Sequence, residues 1–200
     1  MVDRFRDIFI EEKENRDEFA KYASRLFGIF SEKIISIWAE DPRSTYIDLG
    51  RPTLREHPGD RGYTLDFTLQ NKLSKKIYVA EMKCEIEYQN FRYFVLKESS
   101  QIDHHKKPAF DIFLKSAKKP EDIHVSLKRK PIEAHGAILV WGAVDRSATS
   151  AIAEEKGFHE ILSVEEICDN LSEWENEAYI ELIKTRQTWS NALFDGLLSL

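Results

Sequence analysis

Asp66, Glu81 and Lys83 are the residues of this chain whose types and spacing suit a shared chemistry. They lie in two runs, Tyr63 to Gln70 and Lys76 to Glu85, that alternate in the manner of strands and are rich in β-branched and aromatic side chains. The break between them, Asn71 to Lys75, has an ordinary hairpin length, which predicts two adjacent antiparallel strands. Tyr63, Leu65, Phe67 and Leu69 then share one face, and Thr64, Asp66, Thr68 and Gln70 the other. In the second strand Ile77, Val79, Glu81, Lys83 and Glu85 point the same way, with Glu81 and Lys83 about 7 Å apart along the strand. A register that brings Asp66 to that side gathers two carboxylates and one ammonium. Mg²⁺ prefers one or two carboxylates, with water and phosphate oxygens completing the octahedron. A lysine beside it can hold or help deprotonate an attacking water, while the metal stabilises charge on a phosphate. The bland reading of Glu81 and Lys83 is a solvated cross-strand pair. Against it, Ile77, Val79, Ala80, Met82 and Cys84 mark a buried strand, where charges need partners or a metal.

The elements that must position these residues are legible in outline. Residues 3–15 read as a short helix or an arm. Over residues 16–40, Phe19, Ala23, Leu26, Phe27, Phe30, Ile34, Ile37 and Trp38 recur at helical spacing, and Asp41-Pro42 ends the helix. Residues 44–50 form a first strand. Gly50, Pro52, Pro58, Gly59 and Gly62 then mark a loop that carries Arg51, Arg55, His57 and Arg61. After Glu85 the periodicity fits either a helix or a continued strand, and helical spacing resumes from Leu96 through Gln101 to Leu114. Residues 117–131 read as a basic loop with a short strand at Ile123–Leu127. The apolar run 135–144 reads as a central strand covered on both faces. Ser147 caps a helix from Ala148 to Lys156, Gly157 stops it, and Phe158–Leu162 is a short strand. Ser163, with Glu166 at capping-box spacing, starts the helix Val164–Leu171. Residues 173–198 read as an amphipathic helix or pair that covers the sheet or forms a dimer face.

Asp66, with fourteen residues between it and Glu81-Met82-Lys83, resembles the signature of the PD-(D/E)XK nuclease superfamily, which includes restriction endonucleases, junction resolvases and repair nucleases. Leu65 stands where the signature has proline. The resemblance implies an α/β fold: a restriction endonuclease-like αβββαβ core over residues 16–162, a mixed sheet flanked by helices, and a C-terminal helical extension over residues 163–200, all in one domain. It implies a Mg²⁺-dependent DNA endonuclease, with Mn²⁺ able to substitute, in which Asp66 and Glu81 hold the metal and Lys83 positions the water. The main-chain carbonyl of Met82 would complete the coordination. The helix before the sheet often brings a glutamate to such a site; Glu18 and Glu40 lie near the edge of its apolar face, Glu32 nearly opposite it, and a surface acid is the plainer reading of each. Gln101 and Lys97 hold the place of a helical residue that reaches the site. Arg51, Arg55 and Arg61, with Lys106 and Lys107, are candidate phosphate contacts.

Composition narrows the classes. The chain has 200 residues, 42% of them hydrophobic, enough for one ordinary domain with a proper core. No apolar run is long enough to span a membrane, and the N-terminal residues read as no secretory signal. Cys84 and Cys168 form neither a metal spacing nor a disulfide framework, which points to a reducing, cytoplasmic home. A net charge of −6 argues against a generic basic coat for nucleic acid, yet His104 to Pro131 holds eight Lys or Arg against three acids. His104 and His105 read as surface histidines. There is no Gly-x-Ser-x-Gly, no phosphate-binding glycine loop and no dinucleotide fingerprint. A non-catalytic nucleic-acid-binding or assembly subunit of the same fold is the alternative function; the full Asp/Glu/Lys set argues against it.

Overall fold

The computed structural model describes residues 30–84, 86–87 and 92–198. The expected arm at 3–15, the start of the long helix and Glu18 lie outside these residues. The described part of that helix, residues 30–40, is α1. It buries Ile34, Ile35, Ile37, Trp38 and Ala39. Pro42, which has no N–H to donate, follows its end.

Five strands make the central sheet: β1 (Tyr46–Asp48), β4 (Phe67–Asn71), β5 (Ile77–Lys83), β11 (Ala137–Trp141) and β13 (Glu160–Ser163), side by side in that order. The first three form an antiparallel meander. β11 runs parallel to β5, and β13 parallel to β11. The fold is thus mixed α/β, with a mixed sheet and helices on it. Between β5 and β11 the chain crosses over through α2 (Pro108–Lys118), and between β11 and β13 through α3 (Arg146–Lys156). Every residue of β11 is buried, as an apolar run covered on both faces requires.

The two faces of this sheet carry separate cores. On one, Phe67, Leu69, Tyr78, Ala80, Met82, Ile138 and Val140 pack against α1 and against α4 (Val164–Glu173), which contributes Val164, Ile167 and Leu171. On the other, Val79, Ala137, Leu139 and Trp141 pack against Phe110 and Phe113 of α2 and Ile152 of α3. Gly157 ends α3 at φ +81°, and a Cβ there would stand 3.1 Å from the Ala117 carbonyl, so glycine permits both the turn and the close approach of the end of α2.

A second, four-stranded antiparallel sheet lies over the α2 side. Its order is β10 (Lys130–Ile132), β9 (His124–Leu127), β2 (Pro52–Arg55), β3 (Tyr63–Thr64). Leu54 and Val125 on its inner face join the α2-side core. Two short pairs complete the described strands: β6 (Ile86–Glu87) with β7 (Arg92–Tyr93), and β8 (Val95–Leu96) with β12 (Ala143–Val144).

Several expectations change in this sheet and in the segment after Leu96. The Gly/Pro-marked segment 50–62 holds β2, while the basic segment 117–131 does hold the short strand expected at Ile123–Leu127, as β9, to which the structure adds β10. The run Tyr63–Gln70 is not one strand: it bends at Leu65–Asp66, so β3 belongs to the outer sheet and β4 to the central one. Leu65 consequently packs in the α2-side core and Phe67 in the α1-side core, on opposite sides of the sheet. Helical structure after Leu96 is a 3₁₀ turn at Ser99–Ile102, and the α-helix begins only at Pro108, whose fixed φ suits a first helical position. Two caps also differ in detail. Asp145, not Ser147, caps α3, accepting from the Ser147 amide at 2.9 Å. Ser163 does cap α4, but Glu166 turns outward to Arg146. The last element, α5 (Glu177–Leu198), is one helix, with Ile180, Ile183 and Trp189 exposed on it.

Candidate active site

The register of the β4–β5 hairpin decides where the three candidate residues meet. Phe67 pairs with Ala80 and Thr68 with Val79. Phe67 and Ala80 pack in the α1-side core, Val79 in the α2-side core. Alternation along β5 therefore sends Glu81 and Lys83 to the α2 side. Asp66 stands just past the last β4 residue, where the bend releases it from the ladder. Its carboxylate takes the place of a ladder carbonyl: Oδ2 accepts from the Met82 amide at 2.9 Å. Asp66, Glu81 and Lys83 are thus brought to one place, Glu81 and Lys83 by strand alternation and Asp66 by the bend.

The Lys83 ammonium donates to Glu81 Oε1 at 2.6 Å and to the Met82 carbonyl at 3.2 Å. It also lies 4.8 Å from the ring centre of Phe110 on the first turn of α2, close enough for a cation–π contact. Glu81 and Lys83 side chains are 12% and 17% exposed, so the pair is largely withdrawn from water. Burial pushes the Glu81 carboxyl up to about 7; the Asp66 charge adds to the rise, and the Lys83 ammonium opposes it. A buried carboxyl such as Glu81, with a second acid beside it, is what a nearby divalent cation would relieve.

Arg51, on the approach to β2, closes the outer side. Its Nη2 donates to Asp66 Oδ1 at 3.0 Å and its Nε to the Leu65 carbonyl at 3.3 Å. Its other terminal nitrogen lies 3.9 Å from Glu32 Oε2. Glu32 is the acid that the sequence argument set aside. Burial raises its pKa, the nearby Asp66 charge raises it further, and Arg51 lowers it. A helical wheel ranks residues by direction alone; Glu32 stands near the start of the described part of α1, and the wheel does not register which end of a helix borders a site. An acid within reach of Arg51 was the signal available.

The remaining candidates lie elsewhere. Glu40 is exposed at the far end of α1, where its charge acts on Asp48 rather than Asp66. Gln101 is a capping residue: its Oε1 accepts from the Lys97 and Glu98 amides at 2.6 and 3.0 Å, and its Nε2 donates to the Val95 carbonyl. Arg55 and Arg61 belong to the outer sheet and its β2–β3 loop, where Arg61 lies 5.9 Å from the Tyr63 ring centre. Lys106 and Lys107 are exposed just before α2, one turn from Phe110. His105 is half-buried, edge-on to both Phe110 and Trp141, rather than a surface residue. Cys84 and Cys168 are free thiols.

Among the described residues no group of three or more His, Cys, Asp or Glu side chains stands in a metal-holding arrangement. The donor set at the site is two carboxylates and a main-chain carbonyl, all oxygen. That chemistry fits a hard cation that keeps several waters, and does not fit a zinc cage. No helix of the described residues is long and apolar enough to cross a membrane. Comparison of the chain with protein-family models, curated proteins and solved structures returns no match.

Proposed function

We propose that this chain is a Mg²⁺-dependent nuclease of the PD-(D/E)XK kind that hydrolyses phosphodiester bonds in DNA. The observation that carries the reading is the convergence of Asp66, Glu81 and Lys83 on one side of the β4–β5 hairpin, with the Met82 amide on Asp66 and the Met82 carbonyl on Lys83. The order of elements supports it: α1, the antiparallel β1–β4–β5 meander, α2, then β11 parallel to β5 is the sequence of parts that an αβββαβ core requires.

Asp66 and Glu81 would hold the cation, with the Met82 carbonyl beside them. Bound there, Mg²⁺ supplies Lewis-acid polarisation of the phosphate and lowers the pKa of water. Lys83, anchored by Glu81 and packed against Phe110, holds the attacking water and meets the negative charge that builds on the phosphate. Arg51, which donates to Asp66, would be within reach to contact a phosphate oxygen of the substrate. Two subunits paired through the exposed face of α5 would cut both strands of a duplex.

The test is cleavage of supercoiled, linear and single-stranded DNA by the purified chain in Mg²⁺, Mn²⁺ and EDTA. Metal-dependent cleavage lost in Asp66→Ala, Glu81→Ala and Lys83→Ala supports the assignment; cleavage that survives all three removes it. Binding of DNA without any uptake of Mg²⁺ or Mn²⁺ favours a non-catalytic subunit instead.

A further inference from the structure

The outer face of the four-stranded sheet carries a groove of about 460 Å³ that the reaction does not use. Alternation along β2 and β9 places Thr53, Arg55, His124 and Ser126 there, because Leu54 and Val125 face the core. Arg129, from the β9–β10 turn, lines the groove with them, and among the described residues no acid does. The Arg55 guanidinium donates to the Ser126 hydroxyl at 3.4 Å. It also lies over Gly62: a Cβ at that position would come within 2.9 Å of it, so glycine leaves the space in which the guanidinium lies.

The turn that delivers Arg129 is unusual for its residues. Leu127 pairs with Lys130, leaving Lys128 and Arg129 as a two-residue hairpin loop with φ of +50° and +67°. Such a loop ordinarily takes Asn-Gly or Asp-Gly, because side chains beyond these strain the left-handed region. Two long cations held there against their preference suggest a role other than folding.

We propose that this groove binds backbone phosphates of the DNA substrate outside the cleavage point, through Arg55 and Arg129 with the Ser126 hydroxyl. It rests on the reading above that DNA is the substrate. Arg51 precedes β2 and touches Asp66, while Arg55 ends β2, so one strand links the two places across about 13 Å. Each DNA strand advances about 3.4 Å per phosphate along the helix axis, so that span corresponds to roughly four nucleotides.

The test measures binding of a fluorescent duplex to the full chain in EDTA across a salt series, where no cleavage occurs. Arg55→Ala with Arg129→Ala should reduce the salt slope by about 2 and the affinity roughly fiftyfold near 0.1 M salt. Lys75→Ala with Lys76→Ala, which removes the same charge from the β4–β5 loop at the far end of the hairpin from Asp66, should change neither. Lys128→Asn with Arg129→Gly should raise the melting temperature while weakening binding, a combination that a purely structural turn would not give. Equal losses in the two alanine pairs, an unchanged slope in the groove pair, or no duplex binding by the unaltered chain overturns the groove. A chain that binds through the groove yet cleaves no DNA in Mg²⁺ supports the groove and overturns the nuclease reading instead.

Discussion

Asp41 and Glu81 are both carboxylates withdrawn from water with a cation beside them, and they behave in opposite ways. Asp41 closes α1 and accepts from the Arg43 amide, Nε and Nη2 and from the Asn176 side chain, all within 2.9 Å. Arg43 in turn donates to the Trp174 carbonyl and lies over the Trp174 ring. Donors outnumber the charge they serve, and hydrogen bonds from Arg43 hold the Asp41 carboxyl far below its ordinary value. At Glu81 the balance is reversed: one ammonium is shared with a carbonyl, a second acid stands close, and burial drives the carboxyl up to about 7. The first arrangement is complete and ties α1 to the start of α5. The second is short of positive charge. The chain's own donors satisfy the charge of Asp41, whereas at Glu81 they leave the charged form disfavoured, the pattern on which the proposed site rests.

The largest expected difference is in cleavage. Asp66→Asn or Glu81→Gln should lower DNA cleavage at least about a hundredfold, whereas Asp41→Asn should leave the rate of the folded fraction unchanged, measured as single-turnover kinetics. Equal losses from all three would erase the distinction drawn between the two acids.

Stability should follow the opposite order. Asp41→Ala strands Arg43 and Asn176 and should cost about 3 kcal/mol by urea denaturation. Glu81→Gln should cost nothing in metal-free solution near pH 8, and should stabilise.

The pH dependence sharpens this further. Asp41 is depressed, so its contribution is present above its ordinary value of 3.8 and disappears as the pH falls below it. Glu81 is raised from 4.5 to about 7, so the folded state prefers it protonated. The metal-free protein should therefore lose stability as the pH climbs from 4.5 through about 7, by on the order of 3 kcal/mol. Melting temperatures in EDTA would follow it. Glu81→Gln should flatten that slope, and Mg²⁺ should stabilise the unaltered protein more at pH 8 than at pH 5.

The smallest effect belongs to Glu32. It reaches the site through Arg51, so Glu32→Gln should lower cleavage only about tenfold, chiefly by raising the Mg²⁺ needed.

The shared side of Glu81 and Lys83 was legible before any coordinates from period-two alternation; the place of Asp66 was not, because a bend takes it off the ladder. The helix order and the buried β11 were legible for the same reason, because strong periodicity leaves few alternatives. What escaped were contacts between distant segments. β2 begins with proline and is flanked by glycines, so local composition reads as a loop, and pairing with β3 and with β9, some seventy residues on, makes it a strand. Gln101 has the right place in the chain for a site residue, yet its amide is consumed by the 3₁₀ turn it closes. Glu32 was passed over because a helical wheel has no ends.

The bend at Leu65–Asp66 has one more consequence. Asp66 is fixed from the central-sheet side, by the β4 ladder and the Met82 amide, while everything before Leu65 back to Pro52 belongs to the outer sheet. Lengthening or rewriting the Glu56–Gly62 connection therefore leaves the carboxylate where it is, whereas a one-residue insertion inside β5 before Glu81 would turn Glu81 and Lys83 to the other face, away from it. The register of the central sheet therefore constrains this carboxylate, and the Glu56–Gly62 loop does not.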